Sequence, residues 1–246
     1  MSDPSLIFVA CVFALAGLAK GVIGLGLPTI SMGLLAVVMP PVEAAAILAL
    51  PSLVTNLWQM LAGPALKAVA RRLRSMMLMV CLGTWTGLGL MTGATARFGT
   101  AILGAALAVY AISGLLALRL PALRKWEPIL SPVVGAITGL ITAATGVFVI
   151  PAVPYLQSIG FEKEELVQAL GLSFTVSTAA LMVNVTLEGG LQRALAGETF
   201  AALALACAGM WVGQAIRLQL SPDAFRKWFF AGLLLLGLYL VVRSSF

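Results

Sequence analysis

Two apolar runs in this sequence are too long to cross a membrane once as straight helices, and each is interrupted near its middle. They cover residues 5–39 and 129–159. The first run has 35 residues, which would make an unbroken helix about 50 Å long, whereas the hydrocarbon core of a bilayer is about 30 Å thick. The interruptions are GLGLP at residues 24–28 and TAATG at residues 142–146. We therefore predict two broken helices.

The other apolar segments have the length of a single membrane crossing, which needs about 20 residues. The chain is 61% hydrophobic and 10% charged, which leaves no polar region large enough for a separate soluble domain. Residues 2–15 carry Asp3 and no basic leader, so we expect them to be a retained membrane segment and not a secretory signal. The sequence therefore predicts an all-α polytopic membrane protein. Its single-crossing segments are 42–61, 75–92, 99–118, 164–187, 195–216 and 225–242.

The sequence also repeats itself. GLAKG at residues 17–21 returns as GAITG 118 residues later, and CLGTWTG at residues 81–87 returns as CAGMWVG 126 residues later. The paired glycines in the tryptophan motifs favour close helix packing, and the alternative is that Trp85 or Trp211 lines a transport pathway. We predict two repeats, each a broken helix followed by three transmembrane helices. The repeats cover residues 1–125 and 126–246.

Loop charges indicate how the two repeats are oriented. If each broken helix is a hairpin that enters and leaves on one side, the loops 63–74, 119–128, 159–165 and 217–227 share a side with eleven Lys and Arg, and the other side has three. Full crossings would instead split these charges nine to five. The positive-inside rule favours the hairpins. We therefore predict inverted repeats, with the basic loops in the cytoplasm and both termini on the opposite side.

Broken helices in inverted repeats form substrate sites near the bilayer midplane. A helix that begins inside the membrane presents free N–H groups and a positive dipole end, which suit an anion. Lys20 would make such a pocket electropositive. The alternative is that Lys20 extends to an interface while the glycines only allow tight packing. The substrate-site residues predicted in the broken helices are Lys20, Gly24, Gly26, Thr29, Thr142, Thr145 and Gly146.

A polar stripe in the second segment of each repeat extends this predicted site. Ser52, Asn56 and Gln59 lie on one helical face, and Ser173 and Ser177 align with the first two of them in the second repeat. Hydroxyl and amide groups often only hold membrane helices together. Because two matched stripes accompany two matched breaks, we predict that these five side chains contribute to substrate binding.

The residues that are missing exclude other functions. The chain has no histidine, and no acidic residue lies in the middle of an apolar segment, whereas hydrolases and transferases need acid, base or metal groups. Cys11, Cys81 and Cys207 form no C-x-x-C pair, so neither a metal site nor a disulfide framework is indicated. The net charge of +6 is that of the loops and does not indicate a nucleic-acid partner. We predict a protein that is not an enzyme and has no cofactor.

These motifs resemble those of the TauE/SafE sulfite exporter family. The glycine-rich GLAKGVIGLGLPTI and the small-polar LPSLVTN and LGLSFTVST carry the resemblance, which extends over essentially the whole chain. It implies a multi-pass carrier in the bacterial inner membrane. The implied substrate is a small sulfur-containing anion, such as sulfite, sulfoacetate or another organosulfonate.

The leading hypothesis is a secondary transporter that exports such an anion through a midplane site between the broken helices. A passive anion channel is one alternative, and it would leave a continuous wet path in place of alternating gates. A membrane assembly protein that transports nothing is another, although the lysine in the first break argues against it. The expected partners are the anion and the lipid bilayer, with a homodimer left open.

Overall fold

The computed structural model describes residues 3–92, 96–117, 121–190, 196–217, 219 and 221–245. These residues are almost entirely helical, and the described part of the chain contains no strand. A 3₁₀ turn at Arg124–Trp126 precedes α7. The helices are α1 (Asp3–Ile23), α2 (Leu27–Leu35), α3 (Pro41–Leu61), α4 (Leu66–Arg72), α5 (Arg74–Thr86), α6 (Ala96–Leu115), α7 (Glu127–Thr145), α8 (Ala152–Ser158), α9 (Lys163–Leu187), α10 (Ala196–Ile216) and α11 (Pro222–Ser245).

Seven of the helices in the described residues are long and apolar enough to cross a membrane, namely α1, α3, α6, α7, α9, α10 and α11. This confirms the predicted class of an all-α membrane protein. The segment predicted at residues 75–92 is shorter than expected, because α5 ends at Thr86 and the chain continues in turns with Gly89 at φ +90°. The other predicted single-crossing segments differ from the observed helices only by a few residues at their ends.

The first break lies where the sequence predicts it. Helix α1 ends at Ile23, and α2 begins at Leu27 with Pro28 in its first turn. Gly24 and Gly26 have φ values of +75° and +114°, a region that side chains with a Cβ rarely adopt. Glycine at these positions therefore permits the change of direction between the two helices.

The second break lies later than the sequence predicts. Thr142 and Thr145 belong to the last turn of α7, and the non-helical residues are 146–151. Each threonine hydroxyl donates to a carbonyl four residues earlier, at 2.7 Å for Thr142 and 2.6 Å for Thr145. These bonds are compatible with a continuing helix. The helix stops at Gly146, which has φ +70° and donates its N–H to the Thr142 carbonyl.

Glycines bring helices from the two halves into backbone contact. Helix α1 packs along α10, and α7 packs along α5. In both pairs, the residue numbers of the contacting positions rise in the same direction along the two helices, so the paired helices run parallel. A Cβ added at any of four glycines would collide with the partner backbone. The touching pairs are Gly17 with Ala206, Gly21 with Met210, Gly135 with Met76 and Gly139 with Val80.

Two further helix pairs run antiparallel, α3 with α9 and α6 with α11. In these pairs, the residue numbers of the contacting positions rise along one helix and fall along the other. Each pair joins the corresponding segments of the two predicted repeats. The contacts that show the direction are Ser52 with Thr178 and Gly63 with Gln168, and Gly104 with Gly237 and Gly114 with Phe230.

The glycines of the tryptophan motifs pack as predicted, whereas their tryptophans face outward. A Cβ at Gly83 or at Gly209 would collide with the backbone of the neighbouring helix. Trp85 and Trp211 are 47% and 74% exposed. Their indoles therefore lie on the outside of the helix bundle, not between its helices.

The connecting segments gather at two ends of the bundle. Leu123 N–H donates to the Ser158 carbonyl at 3.1 Å, and Arg72 pairs with Glu127, so residues 62–74, 121–127 and 159–162 form what we call the basic end. At the opposite end, Gly89 N–H donates to Glu188 at 2.8 Å. Three of the four loops predicted to carry the positive charge thus meet at one end, while the cytoplasmic location of that end stays a prediction.

Candidate functional site

Helix α1 buries a lysine just before the first break. The side chain of Lys20 is 5% exposed, so its ammonium does not extend to an interface. Nζ donates to Thr55 Oγ1 at 3.1 Å and also to Asn56 Oδ1. No carboxylate among the described residues pairs with it. The first hairpin therefore places a positive charge among neutral groups inside the bundle, where an unpaired charge is costly.

The two partners of Lys20 belong to a network that joins α3 to α9. Asn56 Nδ2 donates to Ser52 Oγ at 3.0 Å and to Thr178 Oγ1 at 3.3 Å. The hydroxyls of Ser52 and Thr178 lie 3.2 Å apart. Because Asn56 Oδ1 accepts from the ammonium, its amide nitrogen is turned toward these hydroxyls. The network connects α1, α3 and α9 around one buried cation.

The ammonium of Lys20 has more N–H groups than its two neighbours accept. An ammonium has three N–H groups, and two of them point to Thr55 and Asn56. Thr55 Oγ1 lies 2.8 Å from the Pro51 carbonyl, to which it donates its own proton, so it accepts from Lys20. One N–H of Lys20 therefore has no partner among the described contacts, and an anion is the acceptor that suits it best.

Three predicted residues, Lys20, Ser52 and Asn56, are brought together by these bonds, and two further members were not predicted. Thr55 and Thr178 each also donate to a carbonyl of their own helix, as threonines in helices commonly do. That behaviour made them indistinguishable from structural threonines in the sequence. Their position beside Asn56 and Ser177 was the available signal.

The predicted residues of the second repeat do not join this network. The hydroxyls of Ser173 and Ser177 are buried and have no hydrogen-bond partner in the described part of the chain, and those of Thr142 and Thr145 are bonded within their own segment. Gly146 lies against α2, because a Cβ there would be 2.8 Å from Met32 Cε. The two hairpins therefore touch, although no hydrogen bond between their polar side chains is found among the described contacts.

The remaining predicted residues have local roles. Gln59 Nε2 donates to the Val167 carbonyl at 3.4 Å between α3 and α9, and Thr29 Oγ1 donates to the Gly26 carbonyl at 3.0 Å in the first turn of α2. Gly24 and Gly26 form the first break itself. None of these four side chains or glycines bonds to Lys20 among the described contacts.

The glycines that end α1 and α7 set the register between the two halves. Gly24 and Gly146 each follow the long helix of a hairpin with positive φ, and they are 122 residues apart. Gly17 and Gly139, also 122 apart, make the corresponding backbone contacts with α10 and α5. The G-x-x-x-G match in the sequence has a spacing of 118. These contacts therefore favour a register one helical turn away from that match.

With this spacing the position of Lys20 corresponds to Thr142, and that of Thr55 corresponds to Ser177. Lys20 reaches Thr55, whereas Thr142 is too short to reach across and bonds to its own helix. Ser177 Oγ is buried, and no described residue bonds to it. The two halves thus offer a charged position and a neutral one at corresponding places.

Comparison with known protein families gives a match that covers nearly the whole chain. A family model described as Sulfite exporter TauE/SafE matches residues 9–240. This match includes every predicted site residue and both breaks. No curated protein and no solved structure matches the chain.

Proposed function

The chain belongs to the TauE/SafE sulfite exporter family, and we propose that it is a secondary transporter that exports a small sulfur-containing anion across a bacterial inner membrane. Membership implies a membrane transporter of sulfite or a related anion and not an enzyme. The candidate substrates are sulfite, sulfoacetate and other organosulfonates. All of them carry several oxygens with negative charge on a small group.

The single observation that supports anion binding best is the buried ammonium of Lys20 among neutral partners. Two opposite unit charges 4 Å apart attract each other by about 4 kcal/mol at an effective dielectric constant of 20. An anion at this distance would offset much of the cost of burying the lysine, and Lys20 would offset that of burying the anion. The pair is therefore favoured over either charge alone.

The neighbouring groups would orient the anion. Thr55 and Asn56 hold the ammonium near the break, while the amide of Asn56 and the hydroxyl of Ser52 are donors within the same network. Oxygens of a sulfite or sulfonate group accept several hydrogen bonds at once. Donors from α1 and α3 could then converge on one anion, so that movement of the hairpins would change its surroundings.

We further propose that the two halves are inverted repeats, an arrangement found in many secondary transporters. The parallel pairing of α1 with α10 and of α7 with α5, together with the antiparallel pairs α3–α9 and α6–α11, supports this arrangement. A cysteine introduced at Ala68 at the basic end should react only from the cytoplasmic side. Reaction from the outside would reverse the proposed orientation.

Binding and flux measurements test the proposed function. The purified protein is titrated with sulfite, sulfate, a sulfonate and a carboxylate, and binding is followed by calorimetry and thermal shift. We expect the sulfite or sulfonate to bind and Lys20→Ala to remove that binding. In proteoliposomes, a transporter should give saturable flux and counter-exchange. Flux without saturation or exchange would favour a channel, and a folded protein without flux would favour an assembly role.

A further inference from the structure

An arginine at the basic end holds the returning end of the second hairpin. Arg72 donates to both carboxylate oxygens of Glu127, each at 2.7 Å, and to the Ile159 carbonyl at 2.7 Å. Its guanidinium also lies 4.3 Å from the centre of the Phe161 ring. Ile159 is the first residue after α8. Arg72 of the first half is therefore bonded to the point where the second hairpin leaves the bundle.

A second arginine does the same for the first hairpin. Arg243, in the last turn of α11, donates from Nη1 to the Val37 carbonyl at 2.6 Å. Val37 follows α2, at the point where the first hairpin returns. Val37 and Ile159 are 122 residues apart, the same spacing as that between Gly24 and Gly146. The two arginines thus hold corresponding points of the two hairpins.

These points lie at opposite ends of the molecule. Val37 precedes the start of α3, and Arg72 belongs to the segment that follows its end. Helix α3 has 21 residues and is therefore about 30 Å long. Arg72 borders a cleft of about 370 Å³ and Arg243 one of about 340 Å³. The first cleft is lined by Arg72, Ser75, Arg124, Glu127, Pro128 and Ser131, and the second by residues 36–41, Thr100, Arg243 and Ser244.

The carbonyls that the arginines hold lie just past the ends of α2 and α8. The last carbonyls of a helix have no N–H group to accept from within the helix, and a guanidinium provides one with a charge-assisted hydrogen bond. Both hairpins end shortly before the next long helix begins, so a bond at this point fixes the short helix relative to the bundle. Releasing the bond would free the short helix, α2 or α8, to move.

We propose that Arg72 and Arg243 are positioning residues that act as two latches, one for each hairpin, and that alternating access releases them one at a time. This inference rests on the proposed transport function. The structure has both latches closed and Lys20 buried, as in an occluded state. Arg72 has a carboxylate as well as a carbonyl partner, whereas the recorded partners of Arg243 are carbonyls. The latch at the basic end is therefore the tighter one.

The test measures access to the centre of the protein from each side separately. A single cysteine is introduced as Ser177→Cys, because the Ser177 hydroxyl has no bond to lose, in a full-length chain whose three natural cysteines are replaced by alanine. A charged, membrane-impermeant thiol reagent is then added to sealed vesicles of either orientation. We expect Arg72→Ala to raise the labelling rate at least about tenfold from the basic end only, and Arg243→Ala from the opposite end only.

Matched variants separate a latch from general loosening. Arg71→Ala removes a neighbouring exposed arginine and should leave both rates unchanged, and Arg243→Lys should give a smaller increase than Arg243→Ala. If Arg72→Ala does not fold, Glu127→Gln weakens the same latch and should give a smaller increase from the basic end. Equal increases from both sides, or no increase in folded variants, would overturn the latch proposal. Because labelling needs no flux, the absence of transport would overturn the proposed function without deciding this one.

Discussion

The two hairpins share a backbone plan and differ in what they place at its centre. Each has a long helix that ends at a glycine with positive φ, Gly24 or Gly146, and a short helix that returns toward the same end. The first carries a buried lysine near its break, and the second carries Thr142 at the corresponding position. In the proposed transporter, a pair of similar frames with one charge would give a single anion site. The symmetry of the frame therefore does not extend to its chemistry.

The largest expected effect comes from removing the positive charge of Lys20, which distinguishes the first hairpin from the second. We expect Lys20→Ala to weaken anion binding by at least about 30-fold, because loss of one partner of a buried charge pair costs about 2–5 kcal/mol. Lys20→Arg should restore only part of the affinity, since a planar guanidinium does not replace a compact ammonium. Calorimetry on variants with an unchanged melting transition measures this. Full affinity in folded Lys20→Ala would show that the lysine is not part of the site.

Moving the charge to the other hairpin tests the correspondence directly. In a Lys20→Ala background, we expect Thr142→Lys to recover about tenfold in affinity, or about 1.4 kcal/mol, because its ammonium could bond to the unpartnered Ser177 Oγ. Thr138→Lys, one turn earlier, is the matched control and follows the spacing of 118. Recovery by Thr138→Lys alone would show that the spacing of 122 is wrong.

The hydrogen bonds of the two halves should also differ in their contribution to stability. Asn56→Ala removes an acceptor of Lys20 and a donor to Ser52 and Thr178, so we expect it to lower the free energy of unfolding by about 1–3 kcal/mol. Ser177→Ala removes a buried hydroxyl that has no partner among the described contacts, so it should leave this free energy unchanged or raise it by up to about 1 kcal/mol. Denaturant unfolding in detergent compares the two. A larger loss for Ser177→Ala would mean that Ser177 is bonded in the folded protein.

The smallest expected difference is in how much an alanine at each break lowers the free energy of unfolding. Gly24→Ala and Gly146→Ala both place a Cβ at positive φ, which costs about 1–2 kcal/mol. A Cβ at Gly24 meets no atom within 4 Å, whereas one at Gly146 lies 2.8 Å from Met32 Cε. We therefore expect Gly146→Ala to cost about 1 kcal/mol more, and Met32→Ala to relieve that excess. Equal losses in the same unfolding assay would show that α2 accommodates the extra methyl group freely.

The sequence predicted the parts of this comparison that depend on local chemistry. Glycines in a long apolar run indicated both breaks, and a lysine inside such a run indicated a buried charge. The second break was misplaced because Thr142 and Thr145 bond back to their own helix, which sequence composition does not distinguish from a break. The partners of Lys20 could not be predicted, because they depend on how α3 is rotated about its axis. In the structure this rotation turns both Thr55 and Asn56 toward α1.

The arginines show a different limit. Arg72 and Arg243 looked like ordinary loop charges in the sequence, and their bonds to Ile159 and Val37 join segments far apart in the chain. No periodicity within one helix could have indicated them. The correspondence between the two arginines depends on the register between the two hairpins, which only the folded structure defines.

The glycine contacts between α1 and α10 have a consequence for how the protein is made. Ribosomes synthesise α1 first among the helices, yet its close partner α10 emerges only after some 170 further residues. During that interval Gly17 and Gly21 lack the α10 backbone that they contact in the folded protein, and Lys20 has no α9-supported network around it until α9 has been made. The nascent first helix is thus an apolar segment with a charge and an open backbone groove, which only the later helices cover.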